Sequence, residues 1–442
     1  MNRLNKYIHF ISVFDNHFIY DISSERAIAL SPELYDILRS RKDNIDSLRS
    51  VHPELYSSLS ELGMIIDNNT DETEELIRRF KDFDSDPSKF DIILNPTLDC
   101  NLRCWYCYET HGRGTMMHPE TISAVRHLID SRLTDQRLKH LSLTFFGGEP
   151  LLGWRKVVMP LLEYATRRCG ESNVVFTTGF TTNGVLLSES KYNELLALGL
   201  SGTPFQITFD GNRIFHNGSR IGEARIPTYD TIMNNVISGA TMGFKMSLRF
   251  NYTPETLPSF IDVLSDLEAL PENYRQNVTC NFQKVWQLGC QATREDAIKY
   301  VDLFNSAGFQ ASSDITYWRY VCYADRENQI TINYNGDLFK CTAREFMPES
   351  REGILTDKGT LLTNERYSRR MALKYSNPVC RECNIFPLCG GRCSQHKIES
   401  PDMRSCMTGY NERDKENIIK GSLIYKVFNR LLPIEEIELI KK

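Results

Sequence analysis

From residue 90 onward, short runs of β-branched and aromatic residues alternate with stretches whose apolar positions recur at helical spacing. The strand-like runs are "FDIILNPTL", "HLSLTFFGG", "VVFTTGFTTN", "PFQITFDG", "KMSLRFNYT" and "VTCNFQKVW". Between them lie helix-like stretches such as "PETISAVRHLID", "SESKYNELLALG" and "TPETLPSFIDVLSDL". Six such units predict a parallel α/β domain over residues 90–310, either a partial barrel or an open sheet. Gly147–Gly148–Glu149, Asn183–Gly184, Asp210–Gly211 and a cysteine-rich stretch each follow a strand. In a barrel that rim carries the active site, so the pattern favours a partial (β/α)6 TIM-like barrel.

The chain before residue 90 follows a different pattern. "YIHFISVF" and "HFIYDISSERAIAL" flank a polar break at Asp15–Asn16, which predicts a hairpin. Ser31 can cap a helix that starts at Pro32 and aligns Leu34, Ile37 and Leu38 on one face. Leu55, Leu59 and Leu62 repeat that spacing, so residues 1–67 predict a winged-helix-like β-plus-helix module. Residues 68–89 are charged and read as a linker with one helix. Beyond 310 the alternation fades into a loop-rich region, 311–420, with a C-terminal helix over 421–442.

At 442 residues the chain exceeds one ordinary domain. A net charge of −5 carries no footprint of a nucleic-acid or membrane-surface binder. The N-terminus does not read as a signal peptide, and no apolar run reaches about 18 residues. A cytoplasmic protein without a membrane partner is expected. In that compartment thirteen cysteines point to metal binding or catalysis rather than to disulfides.

Those cysteines are clustered. Cys100, Cys104 and Cys107 fall within "CNLRCWYC", and Cys322, Cys341, Cys380, Cys383, Cys389, Cys393 and Cys406 occupy the tail. Cys169, Cys280 and Cys290 are isolated and read as small buried hydrophobes. A closed structural zinc or iron–sulfur site takes four protein ligands. Three in one loop therefore leave a position open, or await a fourth ligand such as His111. The alternative for the tail is two zinc ribbons, because C-x2-C pairs are common to both metals.

"CNLRCWYC" resembles the signature of the radical S-adenosylmethionine (SAM) enzymes, with Tyr106 as its aromatic position. The resemblance implies a 4Fe–4S cluster on Cys100, Cys104 and Cys107 whose open iron binds SAM. It further implies reductive cleavage of SAM to a 5′-deoxyadenosyl radical. "GGEP", Gly147, Gly148 and Glu149 with Pro150, resembles the segment that receives the SAM amino group, with Glu149 balancing the ammonium. "ITFDG…HNGSR" resembles a serine-x-Asp-Gly segment with a following His-x3-Arg, which implies carboxylate contacts from Thr208 and Arg220. Asn183 is placed at the ribose.

The order of the seven tail cysteines resembles the SPASM domain of peptide- and protein-modifying members. It implies one closed 4Fe–4S cluster on Cys380, Cys383, Cys389 and Cys406, and a second on Cys322, Cys341 and Cys393. "YADRENQITINYNGDLFK" lacks the further cysteine of some relatives. An open auxiliary position is expected, filled by a substrate thiolate or by Cys280 or Cys290. Sulfatase-maturing members generally begin near the first motif and carry Asp after the second tail cysteine; here 99 residues precede Cys100, and Thr342 follows Cys341.

The module over 1–67 resembles the leader-recognition element of ribosomal-peptide maturases, which adds a leader strand to its sheet edge. A peptide maturase is expected: it binds a precursor peptide, takes electrons from a donor such as flavodoxin or ferredoxin, and closes a thioether cross-link. Carbon–carbon or ether cross-linking, sulfatase-type protein maturation, and a non-enzymatic metal-binding scaffold are the alternatives. No catalytic general base is apparent in the sequence.

Overall fold

The computed structural model describes residues 1–13, 15–222, 225–285, 294–313, 322–400 and 404–428. They form two compact units: Met1–Ser85, Thr316–Arg326 and Arg369–Lys442 in the first, Asp86–Ile315 and Glu327–Ser368 in the second.

In the first unit, β1 (Asn2–Leu4) pairs antiparallel with β5 (Ile65–Asp67), while β2 (Ile8–Val13), β3 (Asn16–Asp21) and β4 (Arg26–Leu30) form an antiparallel meander. The hairpin turns at Asp15, which takes a left-handed φ of 60°. Helix Pro32–Ser40 starts as its sequence predicts, with Ser31 Oγ accepting from the Leu34 amide at 3.3 Å. That helix and Pro53–Glu61 bury Leu34, Leu38, Leu55 and Leu59 with Ile19 and Ile28. On the other side of β3, Phe18 and Tyr20 share a core with Leu76, Ile77 and Phe80 of helix Glu72–Asp84, and with Ile385, Phe386, Leu388, Ile419 and Leu423. The charged stretch expected as a linker thus holds a buried helix, N-capped by Asp71.

The second unit opens with β6 (Lys89–Leu94) and the short β7 (Leu102–Cys104) inside the cysteine loop. β8 (His140–Phe145), β9 (Val175–Thr182), β10 (Pro204–Phe209), the short β11 (Arg220–Gly222), β12 (Lys245–Tyr252), β13 (Val278–Lys284) and β14 (Gln310–Ser313) follow. Strands β6, β8, β9, β10, β12, β13 and β14 run parallel, each beside its predecessor. That singly wound order is the order of a barrel, whereas a doubly wound sheet reverses at a switch point. The α/β fold with a central parallel sheet stands as expected, and all six anticipated strands are present.

The sheet extends further than the sequence indicates. β15 (Gln329–Ile332) pairs parallel with β6, placing Ile330 level with Ile92, and β16 (Asp337–Phe339), β17 (Gly353–Leu355) and β18 (Leu361–Thr363) continue antiparallel. Part of the loop-rich tail is therefore sheet. β15 has only four residues, all buried, so it carries no alternation to read.

The two faces of the parallel sheet differ. Phe145, Phe180 and Phe205 stack at 5.1 and 5.0 Å and pack with Trp154 and Tyr192 from the flanking helices. Alternate positions, including Ser142, Thr144, Gln206, Thr208, Ser247, Arg249, Thr279 and Asn281, are polar and half-buried. A packed TIM barrel fills its interior with branched apolar residues. Here the face away from the helices is built for polar contact.

Candidate active site at the strand ends

The chain leaving β6 is stapled to the GGEP turn beyond β8. Gly148 N donates to Thr97 O at 3.1 Å, and Glu149 N donates to Asp99 O at 2.8 Å. A Cβ at Gly148 would stand 2.3 Å from Asp99 O, and one at Gly147, whose φ is +104°, 2.5 Å from Thr97 O. Both glycines are thus required by the approach of this turn to the base of the cysteine loop.

Glu149 faces inward. Its carboxylate is 0 % exposed and accepts from Leu151 N at 3.0 Å, Thr182 Oγ1 at 2.8 Å and Asn183 N at 2.8 Å. Burial pushes its pKa up despite these donors. The side chain locks the end of β8 to the end of β9. Asn183 carries that link to the cysteines: Nδ2 donates to Asn101 Oδ1 at 2.7 Å and lies 3.7 Å from Cys100 Sγ.

The loop is gripped on its other side by β11. Arg220 pairs with Cys104 and Gly222 with Leu102 in a two-stranded antiparallel ribbon. Tyr106 Oη lies 2.8 Å from each oxygen of Asp210, and Arg220 Nη1 donates to the same Oη at 2.8 Å. Arg220 and Asp210 are 3.8 Å apart and both buried. Burial opposes the Arg220 charge, but Cys104, Tyr106, Asp210 and Cys100 outweigh it and hold the guanidinium cationic. Burial raises the Asp210 carboxyl, against Arg220 and Tyr106. Asp210 was legible as a strand-end acid but not as the hub of this network. Thr208 lies half-buried on β10, level with Arg249 of β12.

Among the described residues no three Cys, His, Asp or Glu side chains, the loop thiols included, stand assembled as a metal-binding group. Burial and the Glu149 carboxylate push Cys100 up to about 12, burial pushes Cys107 up to about 11, and burial raises Cys104 against Arg220. Without metal such thiols stay protonated, and metal binding deprotonates them. The neighbouring buried cation, whose Nε has no partner among the described residues, balances the negative charge that results. His111 is not drawn into the set; its Nδ1 is 3.3 Å from Leu98 O. Glu109, which the sequence did not single out, is buried beside Cys107, and burial with Glu345 pushes it up to about 8.

The tail cysteines fall into groups. Cys380, Cys383 and Cys406 line a cavity of about 490 Å³ with Pro378, Val379, Glu382 and Lys415. Burial pushes Cys380 up to about 11 against the Lys397 ammonium, and Cys389, Cys406 and Cys383 add to the push, so the four thiols act on one another. Cys322 and Cys393 are hydrogen-bonded together in the same unit. Cys341 lies in the second unit, where its Sγ accepts from Ala343 N at 3.4 Å. Cys169 and Cys280 are fully buried in the apolar core, as isolated cysteines were expected to be. Cys290 lies outside the described residues.

Residues 94–267 match the model of the Radical SAM superfamily. The chain carries a radical SAM domain. It is an enzyme, and the domain implies a 4Fe–4S cluster and SAM as its cofactors. The chain is 23% identical over 438 residues to the radical SAM cyclopropyl synthase TigE of Paramaledivibacter caminithermalis, covering 88% of this chain and 89% of TigE. Native anSMEcpe with bound AdoMet superposes with a TM-score of 0.55 at 16% identity, covering 78% of this chain and 98% of that one. Streptococcus suis SuiB bound to precursor peptide SuiA gives a TM-score of 0.52 at 16% identity, covering 93% of this chain and 100% of SuiB. These two structures share the fold of this chain. Among the described residues no helix is long and apolar enough to cross a membrane.

Proposed function

We propose that this radical SAM enzyme is a cytoplasmic peptide maturase that cross-links a ribosomally made precursor. The observation that carries the reading is the match to TigE, which extends beyond the radical SAM domain to most of both chains. Cys100, Cys104 and Cys107 would hold the SAM-binding cluster. Cluster and SAM together supply a 5′-deoxyadenosyl radical that abstracts hydrogen from the substrate.

The protein's task is to orient and shield. Tyr106, Gly147, Gly148, Glu149, Asn183, Thr208 and Arg220 would hold SAM, with Glu149 balancing its ammonium. The polar face of the sheet would take the peptide. Residues 1–67 would bind the leader, 68–89 would connect, 90–310 would form the catalytic barrel, and 311–420 would carry the SPASM clusters ahead of the helix at 421–442. Cys380, Cys383, Cys389 and Cys406 would hold one auxiliary cluster, and Cys322, Cys341 and Cys393 the other. A flavodoxin or ferredoxin would supply electrons.

The kinship with TigE favours a carbon–carbon bond, a cyclopropyl ring in its case. The three-cysteine auxiliary set favours a thioether. Mass spectrometry of the peptide encoded beside this gene, co-expressed anaerobically with the enzyme, separates them. Loss of two hydrogens with every thiol still alkylatable supports a cross-link without sulfur, carbon–carbon or ether; the same loss with one thiol blocked supports the thioether. An unchanged peptide, with an enzyme that cleaves SAM, rules out both for that peptide.

A further inference from the structure

Strand β12 turns Met246, Leu248 and Phe250 into the apolar core, so Ser247, Arg249 and Asn251 fall on the opposite, polar face of the parallel sheet. Arg249 is half-buried there, level with Thr208 of β10 and Asn281 of β13. Its Nε donates to Asn251 Oδ1 at 2.8 Å. Among the described residues neither Nη has a hydrogen-bond partner, and no carboxylate stands within ion-pair distance.

Other arginines of this chain are treated differently. Arg168 reaches Asp130 and Glu171, and Arg213 reaches Asp230 and Asp266, although both lie on helices open to water. The neighbours of Arg249 on its face, Ser247, Asn251, Thr208 and Asn281, are all uncharged. Burial raises the Asp210 carboxyl, and Arg249 opposes that less than Arg220, Tyr106 and Asn251 do. A cation withdrawn from bulk water is normally paired. Asn251 is itself buried and holds the Nε edge of the guanidinium from the protein side. The two Nη groups are left as a fork, the shape that takes both oxygens of a carboxylate.

The place of this fork separates it from the groups proposed for SAM. Those come from the cysteine loop, from the ends of β8 and β9, and from β10 and the segment after it. β12 is the next strand of the sheet beyond β10, so Arg249 stands beside that set, where a substrate would lie against it. We propose that Arg249, oriented by Asn251, anchors the carboxylate of an acidic side chain of the peptide substrate. The proposal rests on the reading that the polar face of the sheet takes a peptide, and it adds the chemistry that the peptide must bring: an aspartate or glutamate close to the residue that reacts.

The test is a ligand-observed NMR titration of the full-length reconstituted protein with two capped residues as probes, N-acetyl-glutamate N-methylamide and its uncharged glutamine counterpart. SAM affinity is measured beside it by calorimetry. The wild type is expected to bind the glutamate probe at least about tenfold more tightly than the glutamine probe, the effect of a charge-assisted contact. Arg249→Gln is expected to erase that preference while SAM affinity stays. Equal binding of the two probes by the wild type, binding of neither, or a preference that survives in Arg249→Gln overturns the proposal. A fall in SAM affinity in that variant also overturns it, because the carboxylate held would then be that of SAM. If Arg249→Gln fails to fold, Arg249→Lys, which keeps the charge but loses the fork, must narrow the preference; an unchanged preference overturns the proposal. The underlying reading fails separately, if the precursor peptide emerges unmodified from an enzyme that cleaves SAM while the probe preference persists.

Discussion

Gly148 is held by distance rather than by dihedral angle. Backbone oxygens of Asp99 and Leu98 stand 2.3 and 2.6 Å from where a Cβ would be, and neither can swing aside as a side chain could. Gly148→Ala must push the GGEP turn off the cysteine loop, at a cost of about 1–3 kcal/mol, the usual range for overpacking. The expected result is a lower Tm together with weaker SAM binding in calorimetry; wild-type values for both would mean that the two loops move independently. Arg220 makes a second point at this scale. Arg220→Met strands the buried Asp210 carboxylate without its cation, a loss of about 3–5 kcal/mol for a broken buried pair. It is expected to show as low soluble yield and depressed Tm, and Asp210→Asn in the same background should recover part of the loss. The sequence showed Arg220 only through a family resemblance. Its proximity to Tyr106 and Asp210 depends on the β7–β11 ribbon, whose two strands have three residues each and leave no periodic signal.

Helix Glu72–Asp84 illustrates how charge can hide a core element. Its sequence is dominated by acids and bases, yet Leu76, Ile77 and Phe80 form a buried stripe. At its first turn Glu72 receives two hydrogen bonds of 2.6 Å from Arg3 and one of 2.9 Å from the Lys6 amide. Burial alone would raise the Glu72 carboxyl, but Arg3 and the Lys6 amide outweigh it and hold it down to about 2. The unfolded chain therefore takes up a proton before the folded one does. This contribution to stability is complete above about pH 4.5 and is lost as pH falls toward about 2. Glu72→Gln is expected to cost about 1.5–3 kcal/mol at neutral pH, as for hydrogen bonds to charged groups. The gap in Tm from wild type should narrow through that acid window, whereas a gap independent of pH would assign the effect to packing. The six long parallel strands, by contrast, were readable because runs of β-branched and aromatic residues are what a sheet packed on helices requires.

At the scale of the molecule, the chain's two ends fold together. Tyr7 from the turn before β2 and Ile11, Phe18 and Tyr20 from the N-terminal strands share one apolar core with Ile385, Phe386, Leu388, Ile419 and Leu423 from the tail. Phe80 lies 6.0 Å from Phe386 and 5.7 Å from Tyr375, and Tyr20 Oη meets Ser422 Oγ at 3.0 Å. Phe386 sits in sequence between Cys383 and Cys389, so the scaffold of that cysteine set is built against the N-terminal module. No local pattern encodes a core closed across so long an intervening stretch of chain, which is why sequence reading places these parts in separate domains. If the shared core holds the cysteines in place, and the tail carries the two auxiliary clusters proposed above, a chain beginning at residue 86 loses the partners of Phe386 and Leu388 and with them both of those clusters. Its anaerobically reconstituted iron should fall to about a third of the full-length value, because metal binding is coupled to folding. Alanine at Cys100, Cys104 and Cys107 should do the converse, removing only the remaining third and all SAM cleavage. Full iron in the shortened chain would mean that the tail folds around its own metal and that the N-terminal module is an attached part rather than half of a core.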